Sequence, residues 1–215
     1  MIDLRHLFGA VRDQRGVECC LAIALADAIG SYAGMSERSA MFIHYNARKL
    51  VGHENHNVAV RPEQALAAVA RFGVCCESIW PNLHADYRQR PPPEAFAAAQ
   101  PAAFETIRPE RAALLESLAA ARPVVICLRI FPSNNLSFRA TGNAPNGVIT
   151  PPEPGEDAVR NHAVLLVGYD HRSDHFILRN SFGADWGQDG YGFLPSTYLF
   201  GANCTCGCWR VATGS

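Results

Sequence analysis

The feature that most constrains the fold is a change in residue pattern near position 123. Upstream of it, alanine-rich and apolar runs bounded by prolines and glycines predict helices. Downstream, short β-branched runs predict strands, beginning with Val124 to Ile130. A helical first half followed by a stranded second half predicts an α+β fold. If the two halves form lobes that face each other, the cleft between them is where a site is expected.

Capping and turn residues set the predicted bounds of the elements. Helices are predicted from Cys20 to Met35, from a cap at Ser36 to about Leu50, from Pro62 to Gly73, after Pro93, and from Pro109 to about Arg122. Strands are predicted over Val124 to Ile130, Ala163 to Tyr169, His175 to Arg179 and Gly192 to Pro195. The stretch from Pro132 to Asp157 is rich in proline, glycine and asparagine and predicts a long loop.

Composition excludes several classes of function. The 215 residues are 48% hydrophobic and 18% charged, which is typical of a globular chain with a sizeable core. A net charge of -1 without a basic stripe argues against nucleic-acid binding. No apolar run approaches the roughly 20 residues of a membrane span. The first twelve residues do not resemble a signal peptide, so we expect a cytoplasmic protein whose eight cysteines are free thiols by default.

Three residues together suggest a nucleophilic site. Cys20 follows a loop and begins an apolar helix, where backbone N–H groups and the helix dipole favour a thiolate. His162 precedes a predicted strand, and Asn180 closes another. Each alone is ordinary, since a lone cysteine is usually buried and a lone asparagine usually forms a turn. Together they match a nucleophile, a base and a residue that orients the base.

The segments around these residues resemble papain-family cysteine peptidases. The similarity lies in the runs from Val11 to Ala22, from Asn161 to Tyr169, and from Ile177 through Asp185-Trp186-Gly187 to Gly192, with Phe72-Gly73-Val74 and Ile79-Trp80-Pro81 between them. The three catalytic segments occur in the order of the family. The middle of the chain resembles bacterial members without a long propeptide, and we expect no prodomain before Met1.

The resemblance implies a papain-like two-lobed fold in a single domain over residues 1–215. Its helical lobe would span about 10–95, and its β-barrel-like lobe about 96–215 with residues 1–9, leaving the cleft between them. The catalytic residues would be Cys20, His162 and Asn180, with no cofactor and no metal. The Gln14 side chain and the Cys20 N–H would form the oxyanion hole, since Gln14 lies six residues before Cys20 as the family's glutamine does.

The same resemblance implies further roles and partners. Trp186 and Phe182 would shield the His–Asn pair, with Phe182 standing where the family usually has tryptophan. The substrate would be a peptide or protein, cleaved through an acyl-enzyme thioester. An inhibitor or regulatory protein is a further expected partner, because activity must be restrained without a propeptide.

Several positions depart from the family pattern. Val17 replaces the structural cysteine three residues before the nucleophile, so the family's disulfide cannot form there. Leu21 replaces the tryptophan that usually follows the nucleophile. Cys19 precedes Cys20 and raises the question of which thiol reacts, or whether both form a vicinal disulfide. Residues Val51 to Val58, with His53 and His56, replace the glycine-rich segment of the non-primed cleft, so subsites are not assigned.

Other readings remain open at this stage. The same triad can serve a transpeptidase, an amidase or a deamidase, and a papain-like scaffold can also be an inactive binding module. Cys204, Cys206 and Cys208 alternate as on one face of a strand, and could be free thiols, a local disulfide or metal ligands. Cys75 and Cys76 are expected to pack in the interior or to take part in a disulfide.

Overall fold

The computed structural model describes residues 1–32, 37–81, 87–133, 147–201 and 204–213, with the backbone alone at 204–206. The described strands form one seven-stranded antiparallel sheet, and helices come mainly from the first half of the chain. The predicted α+β class is therefore confirmed. Within the described residues, no helix is long and apolar enough to cross a bilayer.

The bounds of the elements are as follows. The helices are α1 Cys20–Ser31, α2 Ala40–Lys49, α3 Pro62–Phe72, α4 Pro93–Ala97, α5 Arg111–Ala119 and α6 Ser196–Phe200, with a 3-10 helix at Arg5–Leu7. The strands are β1 Ile2–Asp3, β2 Phe104–Ile107, β3 Val124–Ile130, β4 Arg160–Asp170, β5 His175–Arg179, β6 Tyr191–Pro195 and β7 Cys204–Val211.

Strand β4 is the organising strand of the sheet. The strand order is β2-β7-β3-β4-β5-β6, and β1 also pairs with β4. Along β4, β3 pairs with residues 160–166 and β1 with 168–169, while β5 pairs with 165–170. A Cβ at Gly168 would lie 2.5 Å from the carbonyl oxygen of Ile2, so a glycine is needed where β1 crosses.

Helix α1 is a buried helix, as its small apolar residues predict. Ten of its twelve residues are buried, and it packs against β3, β4 and α2. It is shorter than predicted, because Tyr32 leaves the helical conformation at ψ 127°. The predicted end at Met35 and the predicted cap at Ser36 lie outside the described residues.

The second helix begins later than predicted. Ser39 caps α2, and its side chain accepts the N–H of Phe42 at 3.1 Å. The prediction that Ser36 caps this helix was wrong, because Ser39 is the hydroxyl residue that meets the free N–H groups of the first turn. Helix α3 matches its prediction, with Pro62 in the first turn and Gly73 ending it at φ 67°.

Four of the described strands were predicted from their sequence patterns. The predicted strands from Val124, Ala163, His175 and Gly192 all lie within or on β3, β4, β5 and β6. Strands β1 and β2 were not predicted, because runs of two and four residues are too short to show a pattern. The predicted loop includes an isolated bridge between Val148 and Phe193, and residues 134–146 lie outside the described part.

A buried ion pair joins α1 to the sheet. Arg179 at the end of β5 donates from Nε to Asp27 Oδ2 at 2.7 Å, and both side chains are at most 6% exposed. Asp27 also faces Arg12, whose Nε lies 3.4 Å from Oδ1. Arg179 further donates to the carbonyl oxygens of Gly9 and Ala10. The Asp27 carboxylate and its arginine partners therefore hold α1, the N-terminal segment and β5 together.

Asp27→Asn is expected to lower the free energy of unfolding by about 3–5 kcal/mol, because it leaves the buried guanidinium of Arg179 without its carboxylate. Urea denaturation followed by tryptophan fluorescence measures this change. Glu110→Gln is the matched control, since its pair with Arg108 spans 3.9 Å and both side chains are mostly exposed. That control should change by less than about 1 kcal/mol. Equal losses of unfolding free energy in Asp27→Asn and Glu110→Gln would contradict the contribution of the buried ion pair to stability.

Candidate active site

Cys20 lies at the first position of α1 and is partly exposed. The backbone N–H groups of Leu21 and of Cys20 itself act to lower the pKa of its thiol, and so does that of Ala163 in β4. Burial is the larger effect and raises the pKa of Cys20 above its ordinary value. The N–H groups at the helix start therefore favour the thiolate, while burial acts against it more strongly.

The neighbouring Cys19 lies in a different environment. Its side chain is 1% exposed and belongs to the hydrophobic core. Burial raises the pKa of Cys19 strongly, with the adjacent Cys20 adding to the effect. Both cysteines are free thiols in the structure. Because a nucleophile needs access to substrate and to its thiolate form, the geometry favours Cys20 over Cys19.

His162 and Asn180 meet where β4 and β5 lie side by side. His162 Nε2 lies 2.7 Å from Asn180 Oδ1. The same oxygen accepts the N–H of Ser181 at 2.8 Å, which fixes the orientation of the amide. Since a carbonyl oxygen only accepts, Nε2 carries the proton. The neutral ring therefore keeps Nδ1 unprotonated, in the form that can accept a thiol proton.

Aromatic rings cover the His–Asn pair. The Phe182 ring stacks on His162 with centroids 4.7 Å apart and an angle of 24° between the planes. Trp186 meets Phe182 edge-on at 6.1 Å. The structure thus places Phe182 directly on His162, and Trp186 against Phe182. Their apolar surface keeps water from the hydrogen bond between His162 and Asn180.

Burial also controls the charge on His162. It lowers the pKa of the imidazole from 6.5 to about 4, and the hydrogen bond to Asn180 opposes that change. The unfolded chain binds a proton at this histidine between those values, whereas the folded chain does not. The contribution of His162 to stability therefore falls as the pH drops from about 6.5 to about 4.

Gln14 is held by the segment that follows Asn180. The Ser181 hydroxyl donates to Gln14 Oε1 at 2.6 Å, and the Gln14 backbone N–H donates to Ser181 O at 2.8 Å. Gln14 Nε2 donates to Val17 O at 2.9 Å. An amide nitrogen has two hydrogens, so one is left to donate to a substrate oxygen. Ser181 was missed as a positioning residue, although it lies within the asparagine segment of the sequence.

A pocket of about 440 Å³ connects Cys20 and His162. Its walls are mostly apolar and come from α1, β3, β4 and the start of α3. The lining residues are Cys20, Leu21, Ala59, Val60, Arg61, Pro62, Glu63, Cys127, Asn161, His162 and Ala163. The segment from 59 to 63 was missed by the sequence analysis, which looked for the cleft wall at Val51 to Val58.

The remaining cysteines show no catalytic arrangement in the described part of the chain. Cys75, Cys127 and Cys208 are buried, and Cys76 is partly exposed. The side chains of Cys204 and Cys206 lie outside the described residues, so the three readings of that cluster stay predictions. Among the described side chains, no group of three or more His, Cys, Asp or Glu residues could hold a metal ion.

The family model for papain family cysteine proteases matches residues 1–213. The chain belongs to this family. An uncharacterized peptidase C1-like protein of Acanthamoeba polyphaga mimivirus is 26% identical over 217 residues, which cover 93% of this chain and 68% of that protein.

Solved structures agree with this membership. Xylellain, a cysteine protease from Xylella fastidiosa, has a TM-score of 0.87 at 27% identity, covering 100% of this chain and 86% of that one. The Carica candamarcensis cysteine protease CMS1MS2, solved in complex with E-64, has a TM-score of 0.69 at 25% identity, covering 98% and 95%. The papain-like fold expected from the resemblance is confirmed, and the protein is a cysteine-type peptidase of the hydrolase class.

Phe182→Ala is expected to raise the pKa of His162 from about 4 toward 6.5, because water then reaches a ring whose pKa is lowered by burial. Titration of the histidine C2–H signals by NMR measures the shift, with His162→Gln assigning the signal.

Phe200→Ala is the matched control, since that ring is 36% exposed and packs on Phe176 instead. It should leave the pKa of His162 unchanged. A Phe182→Ala variant that titrates like the parent protein would contradict the shielding role.

Proposed function

We propose that Cys20 is the nucleophile of this cysteine peptidase, with His162 as its base and Asn180 as the residue that orients the base. The observation that supports this best is the shared pocket. Cys20 and His162 line it together, while Asn180 binds Nε2 and leaves Nδ1 as the basic nitrogen. A nucleophile, a base and an orienting group in this relation match the chemistry of acyl transfer.

The reaction begins with proton transfer from the Cys20 thiol to His162 Nδ1. Burial penalises a lone thiolate and a lone imidazolium, so the two charges arise together and stabilise each other. The sulfur attacks the peptide carbonyl carbon, and the carbonyl oxygen becomes an oxyanion. The Gln14 amide and the Cys20 N–H donate to that oxygen.

The tetrahedral intermediate then collapses to products in two stages. The imidazolium of His162 gives its proton to the leaving amine nitrogen as the C–N bond breaks, and a thioester of Cys20 remains. Water next loses a proton to His162 and attacks the thioester carbonyl. Breakage of the C–S bond releases the carboxylic acid, and the proton returns to the Cys20 sulfur.

The pocket beside Cys20 also suggests the kind of peptide that is cleaved. Its wall combines Leu21, Val60 and Ala163 with the charged Arg61 and Glu63, which are exposed. An aliphatic substrate side chain would bury apolar area there. A lone charge entering the pocket would lose hydration against mostly apolar walls. We therefore propose peptides with an aliphatic side chain at this subsite as substrates.

Cys20→Ala is expected to abolish peptide hydrolysis, whereas Cys19→Ala keeps most of it, because Cys20 lines the pocket beside His162 and Cys19 does not. Turnover of a fluorogenic peptide measures both. A thiol-reactive epoxide should label the parent protein and Cys19→Ala on Cys20, as shown by mass spectrometry of the labelled peptide. Loss of turnover and labelling in Cys19→Ala alone would overturn the assignment.

The test is a peptide library in which one position is varied at a time. At the position that fills this pocket, kcat/KM should be at least about tenfold higher for leucine or valine than for aspartate or lysine. Val60→Asp should reduce that preference, while Val51→Asp, in the preceding exposed loop, should not. A flat profile at every position would contradict the proposed subsite. Transfer to an added amine in preference to water would instead indicate a transpeptidase.

A further inference from the structure

A surface asparagine contacts the loop that leads into the nucleophile. Asn57 Oδ1 accepts the N–H of Glu18 at 3.0 Å, and Asn57 Nδ2 donates to the carbonyl oxygen of Gly16 at 2.7 Å. These two bonds bracket Val17, three residues before Cys20. The resemblance implies a structural cysteine at the position of Val17. In this chain the two hydrogen bonds of Asn57 hold the loop there instead.

The Val17–Glu18 peptide unit links this contact to the oxyanion hole. A peptide group is planar, and its N–H and C=O point in opposite directions. Asn57 holds the N–H of this unit, and the C=O on its other side, that of Val17, accepts from Gln14 Nε2 at 2.9 Å. Fixing one end of the plane therefore fixes the acceptor that orients the Gln14 amide.

The chain around Val17 is tightly constrained. The Val17 carbonyl oxygen also accepts the N–H of Cys19 at 2.8 Å, and the Val17 N–H donates to Gln14 O at 3.0 Å. A rotation of the Val17–Glu18 peptide would break the bonds to Cys19 and Gln14 together. The orientation of this one plane is thus coupled to the N-cap of α1.

A buried arginine places Asn57. Arg48 in α2 is fully buried, and its Nη1 donates to the carbonyl oxygens of Glu54 and His56, each at 2.8 Å. Its Nη2 donates to the carbonyl oxygen of Tyr87 at 2.6 Å. The guanidinium therefore holds the backbone of the loop up to the residue before Asn57. The segment from Val51 to Val58, which departs from the family pattern, therefore helps to place Asn57.

We propose that Asn57 is a positioning residue of the peptidase, which sets the orientation of Gln14 through the Val17–Glu18 peptide. This inference rests on the proposed role of Gln14 in binding the oxyanion. Asn57 contacts no reacting atom and acts only through the peptide plane. Its effect belongs to the transition state, because the Gln14 amide meets a full charge only when the oxyanion forms.

The experiment is a double-mutant cycle between Asn57 and Gln14. Gln14→Ala should lower kcat by about 10²–10³-fold, the usual cost of one oxyanion donor. Asn57→Ala should lower kcat by about tenfold with KM within about twofold, because part of that donor's alignment is lost. The double variant should be no slower than Gln14→Ala, because Asn57 has no effect once the Gln14 side chain is gone.

Two controls separate this role from a general structural one. Alkylation of Cys20 by iodoacetamide forms no oxyanion, so Asn57→Ala should be alkylated at the same rate as the parent protein. Its melting temperature should also stay within a few degrees of the parent's. Asn55→Ala removes a neighbouring exposed asparagine and should keep the parent's kcat.

The outcomes are distinguishable. Multiplicative losses in the double variant, or an alkylation rate that falls with kcat in Asn57→Ala, would overturn the positioning role while leaving the proposed function intact. A kcat for Asn57→Ala equal to that of Asn55→Ala would do the same. Full activity in Gln14→Ala would overturn the oxyanion role of Gln14 and, with it, this inference.

Discussion

The arrangement of the site depends on the buried ion pair between Asp27 and Arg179. Asp27 lies seven residues after Cys20, two turns along the same helix, and Arg179 is the residue directly before Asn180. A 2.7 Å contact between these side chains thus fixes α1, which begins at Cys20, against β5, which ends next to Asn180. Charges this deeply buried are costly when unpaired, so the pair tolerates only one relative placement of the two elements.

The site itself combines rigid backbone with desolvated side chains. Burial opposes the charged forms of both Cys20 and His162. In the proposed acyl transfer the two charges arise together and stabilise each other, while the peptide N–H groups are already in place. Preorganised dipoles of this kind require no rearrangement as charge develops.

Sequence predicted the parts of the site that depend on local pattern. The order and spacing of the segments around Gln14, Cys20, His162 and Asn180 predicted residues that the structure brings together. The fold class and the central strands followed from β-branched runs and turn residues. Each of these features is encoded within a few neighbouring positions, so it does not depend on which distant residues are in contact.

What the sequence did not reveal depends on contacts between distant positions. Asn57 lies 39 residues from Glu18, and nothing in its local pattern marks it as a ligand of that N–H. The raised pKa of Cys20 reflects burial in the folded chain, which the helix start alone does not disclose. The cap of α2 at Ser39 was missed because Ser36 and Ser39 both precede an apolar run, and tertiary packing selects between them.

The position of β7 has a consequence for how the enzyme matures. This strand is the last in sequence, yet it lies between β2 and β3, and β3 in turn pairs with the strand that carries His162. During synthesis, residues 1–200 emerge before it, so β3 lacks one neighbour until residues 204–211 have left the ribosome. Non-local pairing of this kind completes late in folding. A growing chain therefore completes the sheet around its histidine strand only after residues 204–211 have been synthesised.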